Sequence, residues 1–324
     1  MRTSGRALGL GLLAWLLLAG LAGTTGPAFA TPPPSTQEAT PSAPAGARTK
    51  LILLGTGTPN ADPERWGPAV AVIVDDEAYL VDAGVGVVRR AAAAAKRGTL
   101  ALAPTGLRRV FITHLHSDHT LGLPDLMLSP WVLGRSTPLE VYGPPGTAEM
   151  TRHIEEAWRE DIAVRLYGLE PQSTRNYRAI THEIAAGPIY QDDKVQVDAI
   201  PVLHGSWPEV FGFRFRTPDR TIVISGDTRP ADALAEACNG CDILLHEVYS
   251  AERLPARLPD WRAYHTAYHT STVELARIAA KAQPKLLVLY HQLLWGASDE
   301  DLVHEIHAQG YGGQVISGRD LDEF

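Results

Sequence analysis

The sequence predicts a layered α/β domain, and three observations predict it. From Lys50 onward, short apolar runs of strand character alternate with helix-like runs. No second linker interrupts that alternation, and 45% hydrophobic content over 324 residues supplies a sizeable core.

The first 30 residues read as an export signal rather than part of the fold. Arg2 and Arg6 precede an apolar stretch from Ala7 to Ala22, and Ala28-Phe29-Ala30 offers the small residues of a cleavage site. The stretch is short for a spanning helix, so no stable membrane span is expected once it is cleaved, and the mature chain is expected to be periplasmic or secreted. Residues 31–49, rich in Pro, Ser, Thr, Ala and Gly, read as a disordered linker, because that composition cannot bury enough apolar surface to pack. One domain, residues 50–324, follows.

Within it, Leu51 to Leu54, Ala69 to Val74 and Ala78 to Val81 read as strands, followed by an alanine-rich helix through Val87 to Lys96 and a strand from Arg109 to Thr113. Val195, Val197 and Ala199 alternate with polar neighbours, as do Phe211, Phe213 and Phe215, which is the period of two of half-buried strands. Thr221 to Ser225, Ile243 to Leu245 and Leu286 to Tyr290 are apolar enough for central strands. Helices are expected at Thr147 to Trp158, Ala231 to Ala237, Thr272 to Ala282 and Glu300 to Ala308. Ser271 followed three residues later by Glu274 is a capping box that starts the third of these. Cys238 and Cys241 are the two cysteines. A local disulfide, a pair of inert thiols and a redox pair all stay open, while a four-cysteine zinc site is excluded by count.

The chemistry concentrates after the strand at 109–113. Thr113-His114-Leu115-His116-Ser117-Asp118-His119 sets three imidazoles and a carboxylate within six residues, and these are favoured ligand types for zinc and similar divalent ions. Residues two apart on a strand exit share a face, so His114 and His116 can grip one ion while the turn presents Asp118 and His119 to another. His204, Asp227 and His291 each follow an apolar strand directly, at the ends where a sheet would converge them.

His114 to His119 match the HxHxDH motif of the metallo-β-lactamase superfamily, and His204, Asp227 and His291 follow in that superfamily's ligand order. The chain most resembles the ribonuclease Z and arylsulfatase-like branch, through Leu54-Gly55-Thr56-Gly57-Thr58-Pro59, Val81-Asp82-Ala83-Gly84, Gly122-Leu123-Pro124, Tyr142-Gly143-Pro144, Ser225-Gly226-Asp227-Thr228, Leu245-His246-Glu247 and His269-Thr270-Ser271. The resemblance implies a four-layer αββα sandwich. It implies two zinc ions, or other divalent metals: His114, His116 and His204 on one, Asp118, His119 and His291 on the other, with Asp227 bridging. Asp82 would steady a ligating His. Asp118 would orient the attacking water, and His269, held by Glu247, would protonate the leaving group, with His265 a competing donor. The glycines at 55 and 57 lack the Gly-Lys-Ser/Thr ending of a phosphate loop and are taken as a tight turn.

For the substrate, the expectation is a small-molecule ester, a sulfate ester or phosphodiester, hydrolysed by a zinc-dependent enzyme. A ribonuclease Z-type endonuclease, a lactonase and a non-catalytic zinc-binding protein are the alternatives. The formal net charge of −8, which becomes −10 when Arg2 and Arg6 leave, argues against nucleic acid as a partner. So does the spacing of 22 residues between His204 and Asp227, which leaves no room for the tRNA-gripping arm that ribonuclease Z enzymes commonly insert there. Trp131, Tyr264, Tyr268 and Trp295 are candidates for an aromatic wall, and a homodimer is compatible with the sequence.

Overall fold

The computed structural model describes residues 46–170 and 175–324. The expected export signal and most of the expected linker lie outside the described residues. The body that is described consists of two sheets, each assembled in chain order. The first holds β1 (Thr49–Gly55), β2 (Ala69–Val74), β3 (Glu77–Val81), β4 (Arg109–Phe111), β5 (Leu139–Gly143) and β6 (Ala179–Glu183). The second holds β7 (Gly187–Gln191), β8 (Gln196–Val202), β9 (Val210–Arg216), β10 (Thr221–Ile224), β11 (Ile243–Tyr249), β12 (Leu286–Leu293) and β13 (Val315–Ser317). Strands β3 to β6 run parallel, as do β10 to β13, and the remaining pairs are antiparallel.

Strand alternation explains the layering. Leu51 and Leu53 of β1, with Val70, Val72 and Val74 of β2, face a core shared with Phe213 and Phe215 of β9 and Ile222 of β10, which lies between the sheets. Their neighbours Ile52, Leu54, Ala69 and Ala71 face the opposite way, onto α1 (Val87–Lys96) and α3 (Leu123–Val132), with α4 (Thr147–Ala157) and α5 (Arg159–Tyr167) further along, while the single turn α2 (Ser117–Thr120) links β4 to α3. The outer face of the second sheet buries Val223, Leu244 and Leu287 under α6 (Asp232–Cys238), α8 (Thr272–Ala282) and α9 (Asp299–Ala308), while α7 (Pro259–Tyr268) precedes α8. Sheets covered on both faces read as continuous apolar runs, which is why the central strands are legible in the sequence. Three apolar cores thus separate four layers, αββα.

The capping box is present: the Ser271 hydroxyl accepts from the Glu274 amide at 3.2 Å, and Glu274 accepts from the Ser271 amide at 3.0 Å. Cys238, at the end of α6, is bonded to Cys241 just before β11. Strands β5, β6, β7 and β13 and helices α3, α5 and α7 go beyond the elements expected from the sequence. The edge strands β6 and β7 are half-exposed and polar, and α3 carries Pro130 inside it, which in sequence reads as a break.

A bulge interrupts the second sheet. In the β11–β12 ladder Glu247 pairs with Tyr290 and Val248 with Gln292, so His291 is an extra residue opposite none, held at φ 46°. The insertion breaks the alternation of side chains at the end of β12.

Candidate active site

The carboxyl ends of β4, β8, β10 and β12 lie along one edge between the sheets, the position where parallel α/β sheets leave a crevice. His114, His116, His204 and Asp227 converge there, as do Asp118, His119 and His291, the candidate ligand atoms of each group lying within 4.8 Å of one another. His116 Nδ1 stands 2.9 Å from His114 Nε2 and 3.1 Å from His204 Nε2. In the second group His291 Nε2 is 3.2 Å and His119 Nε2 3.5 Å from Asp118 Oδ2. Asp227 sits between the groups: Oδ1 is 3.4 Å from His119 Nε2, and Oδ2 is 3.4 Å from His291 Nε2 and 3.9 Å from His204 Nε2.

Supporting contacts aim these rings. Asp82, at φ 61° where β3 ends, accepts from the Thr113 amide at 2.8 Å and pairs with His119 Nδ1 at 2.8 Å. The Thr113 hydroxyl reaches His114 Nδ1 at 2.9 Å, and the Tyr268 carbonyl takes His204 Nδ1 at 2.7 Å. Sequence reasoning missed Trp207, whose indole N–H donates to His116 Nε2 at 2.6 Å; its place three residues after His204 was the one available hint. Each ring nitrogen that looks away from the cluster on His114, His119 and His204 is thus occupied, leaving the other to face inward.

The fit to a cation is tested by what has no partner. His119 Nε2 and Asp227 Oδ1 are buried without a hydrogen bond, although they face each other. Such orphans carry a desolvation cost that a bound ion would remove. Burial holds His114 well below the usual imidazole range and His204 down at about 3, the neutral form that ligation requires. Burial acts the same way on His119 and His291, but Asp227, with Asp82 and Asp118 around His119, overrides it and draws protons onto both rings. That local excess of carboxylate is what a divalent ion would neutralise, so the donor set fits a metal.

His269 Nδ1 lies 3.2 Å from Glu247 Oε2, and the other Glu247 oxygen accepts from the Thr270 amide at 2.7 Å. Burial lowers His269 to about 4 and raises Glu247 well above the carboxylate range. Its ring stands 5.2 Å from His204 and 5.7 Å from His291 between centroids, so it overlooks both groups. His265 is one step further out, 5.8 Å from His269 and packed on Trp295. Of the aromatic wall, Tyr264 and Tyr268 stack at 4.2 Å beside His204. Trp295 stands behind His265, and Trp131 belongs to the core under the first sheet.

Residues 77–292 match the family described as β-lactamase superfamily domain. A ribonuclease Z of Mycobacterium bovis is 34% identical over 277 residues, spanning 84% of this chain and 96% of that protein. A ribonuclease Z of Mycobacterium sp. strain KMS is 36% identical over 247 residues, 75% of this chain and 84% of its own length. Among solved structures, the metallo-β-lactamase fold protein YhfI of Bacillus subtilis superposes with a TM-score of 0.66 at 18% identity, covering 85% of this chain and 98% of that one. The short form of human tRNase Z gives 0.62 at 22% identity, over 85% and 98%. These two share the fold.

The relatives correct one expectation. A small-ester substrate with nucleic acid disfavoured conflicts with relatives named for a ribonuclease and matched over 96% of their length. Net charge sums over the whole surface and does not report the field at one cleft. The short span from His204 to Asp227 does not outweigh a match over 96% of a ribonuclease Z. The sulfate-ester expectation draws no support from the relatives. By fold and by kinship, the chain belongs to the metallo-β-lactamase superfamily, with the ribonuclease Z proteins as its relatives.

Proposed function

We propose that the chain is a metal-dependent phosphodiester hydrolase of the ribonuclease Z type, acting on RNA. The observation that carries the reading is kinship over nearly the full length of a ribonuclease Z, joined to two ligand groups with Asp227 lying between them. His114, His116 and His204 would hold one zinc and Asp118, His119 and His291 the other, with Asp227 reaching both. Two such ions supply an activated water at neutral pH and neutralise charge on the phosphoryl oxygens.

The chain's own residues do the rest. Asp118 orients the attacking water through the carboxylate edge that faces the cluster. Because burial lowers His269 and raises Glu247, the pair acts as one donor: the His269 ring gives the proton on its outer nitrogen to the leaving oxygen while Glu247 returns one to Nδ1, and the Thr270 amide holds the other Glu247 oxygen. Thr113 and the Tyr268 carbonyl hold His114 and His204 in the orientation ligation needs. An export segment over 1–30, a linker over 31–49 and a single domain from 50 onward form part of the same proposal, tested by sequencing the N-terminus of the mature protein.

The test is cleavage of RNA, tRNA included, and of bis(p-nitrophenyl) phosphate by protein of measured metal content, with and without chelator. Chelator-sensitive cleavage of both is the expected result. Protein that holds two metals and leaves both intact overturns the reading.

A further inference from the structure

Beside Asp118 the cleft continues into a cavity of about 530 Å³, within the size range of small-molecule sites. Its walls include Pro59, Trp66, Val85 and Leu121, and Ser117 and Asp118 open it to the metal-capable groups. Val85 is 47% and Leu121 61% exposed, a cost in water that an occupant would relieve.

The wall is built, not loosely draped. The ring of Trp66 lies flat on Gly86, where a Cβ would sit 2.0 Å from Trp66 Cε3, so only glycine allows that approach. Trp66 is tied at both ends of its backbone: its amide donates to Asp320 at 3.0 Å and its carbonyl accepts from Gly57 at 2.7 Å. Arg65, the cation of this wall, is spent: its guanidinium grips both Asp299 oxygens at 2.8 Å and Gln292 at 2.8 Å, next to His291. No unpaired cation among the described lining residues therefore meets an anion, and the carboxylates of Asp62 and Asp118 would repel one. A phosphate does not fit here; a planar apolar group does.

We propose that this cavity seats the nucleobase next to the scissile phosphodiester, between Trp66 on one side and Val85 and Leu121 on the other, an inference that rests on the phosphodiesterase reading of the metal site. Stacking and burial of a base add affinity that the phosphate and sugar cannot supply.

The test compares equilibrium binding of adenosine 5′-monophosphate with that of ribose 5-phosphate, which differ by the base alone. Calorimetry is done on metal-loaded protein whose metal content is measured before and after, with the 3′-phosphates as a parallel pair. Wild type should prefer the adenosine ligand of one pair by about ten-fold or more. Leu121→Ala, an exposed position that folding tolerates, and Trp66→Ala should each cut that preference several-fold at unchanged metal content. No preference in wild type for either pair, or a preference that survives both substitutions, overturns the assignment. Preference without RNA cleavage keeps the base site and sinks the hydrolase reading; cleavage without preference does the reverse.

Discussion

Asp82→Asn separates a carboxylate that tunes the metal site from one that only builds a turn. Asp82 sits at φ 61°, a conformation asparagine tolerates and alanine resists by about 1–2 kcal/mol, so the amide leaves the backbone in place. Its Oδ1 accepts from the Thr113 amide at 2.8 Å, and an asparagine oxygen can keep that bond. Oδ2 pairs with His119 Nδ1 at 2.8 Å, and there an asparagine would present N–H to N–H. His119 must then move its proton to Nε2, the atom that faces Asp118 and Asp227 and that a metal needs as a lone pair. Losses of this kind cost about 10- to 100-fold in metal affinity, or about 1.4–2.7 kcal/mol. Competition with a chromogenic zinc chelator measures the change. Thermal unfolding in chelator should meanwhile show the Asn variant close to wild type, and Asp82→Ala lower by about 1–3 kcal/mol for the Thr113 amide left unpaired in the interior. Zinc affinity within two-fold of wild type in Asp82→Asn would refute the argument and leave Asp82 a turn residue.

Two other substitutions probe the proton donor and the support of His204. His269→Ala is expected to lose most turnover, about 100-fold or more for a missing proton donor, while retaining its metals by elemental analysis; a metal-free variant would move His269 into coordination, and unchanged turnover would remove it from the chemistry. At Gly205, φ 54°, a Cβ would fall 1.9 Å from Tyr268 Cζ, so Gly205→Ala should destabilise the fold by about 1–3 kcal/mol in denaturant titration and weaken zinc binding too, because the Tyr268 carbonyl holds His204.

What was legible in the sequence was whatever chemistry and periodicity make local. His114, His116, Asp118 and His119 fall within six residues, so their spacing announces the cluster, and the doubly covered strands announce themselves as apolar runs. His204, Asp227 and His291 were found as polar residues closing such runs. The supports were harder. Trp207 meets His116 across 91 positions of chain, and the Tyr268 carbonyl is a backbone group with no sequence signature. Helix α7 begins at Pro259, a helix start that reads equally as a loop, and β5 is a five-residue strand interrupted by the charge of Glu140. Composition does not carry the substrate: a net charge summed over the chain reports no local field, and it is the relatives that point to RNA.

The two sheets are consecutive in the chain, β1–β6 before β7–β13, and this order divides the proposed metal ligands. His114, His116, Asp118 and His119 belong to the earlier half, while His204, Asp227 and His291 belong to the later one. Each half can lay down its own ladder from neighbouring strands, yet neither owns a full coordination set. A metal held by both groups would therefore need the two sheets docked on each other. An ion bound at that seam acts as a rivet between halves: it opposes their separation most strongly, and a chelator should loosen the joint between the sheets before it loosens either sheet.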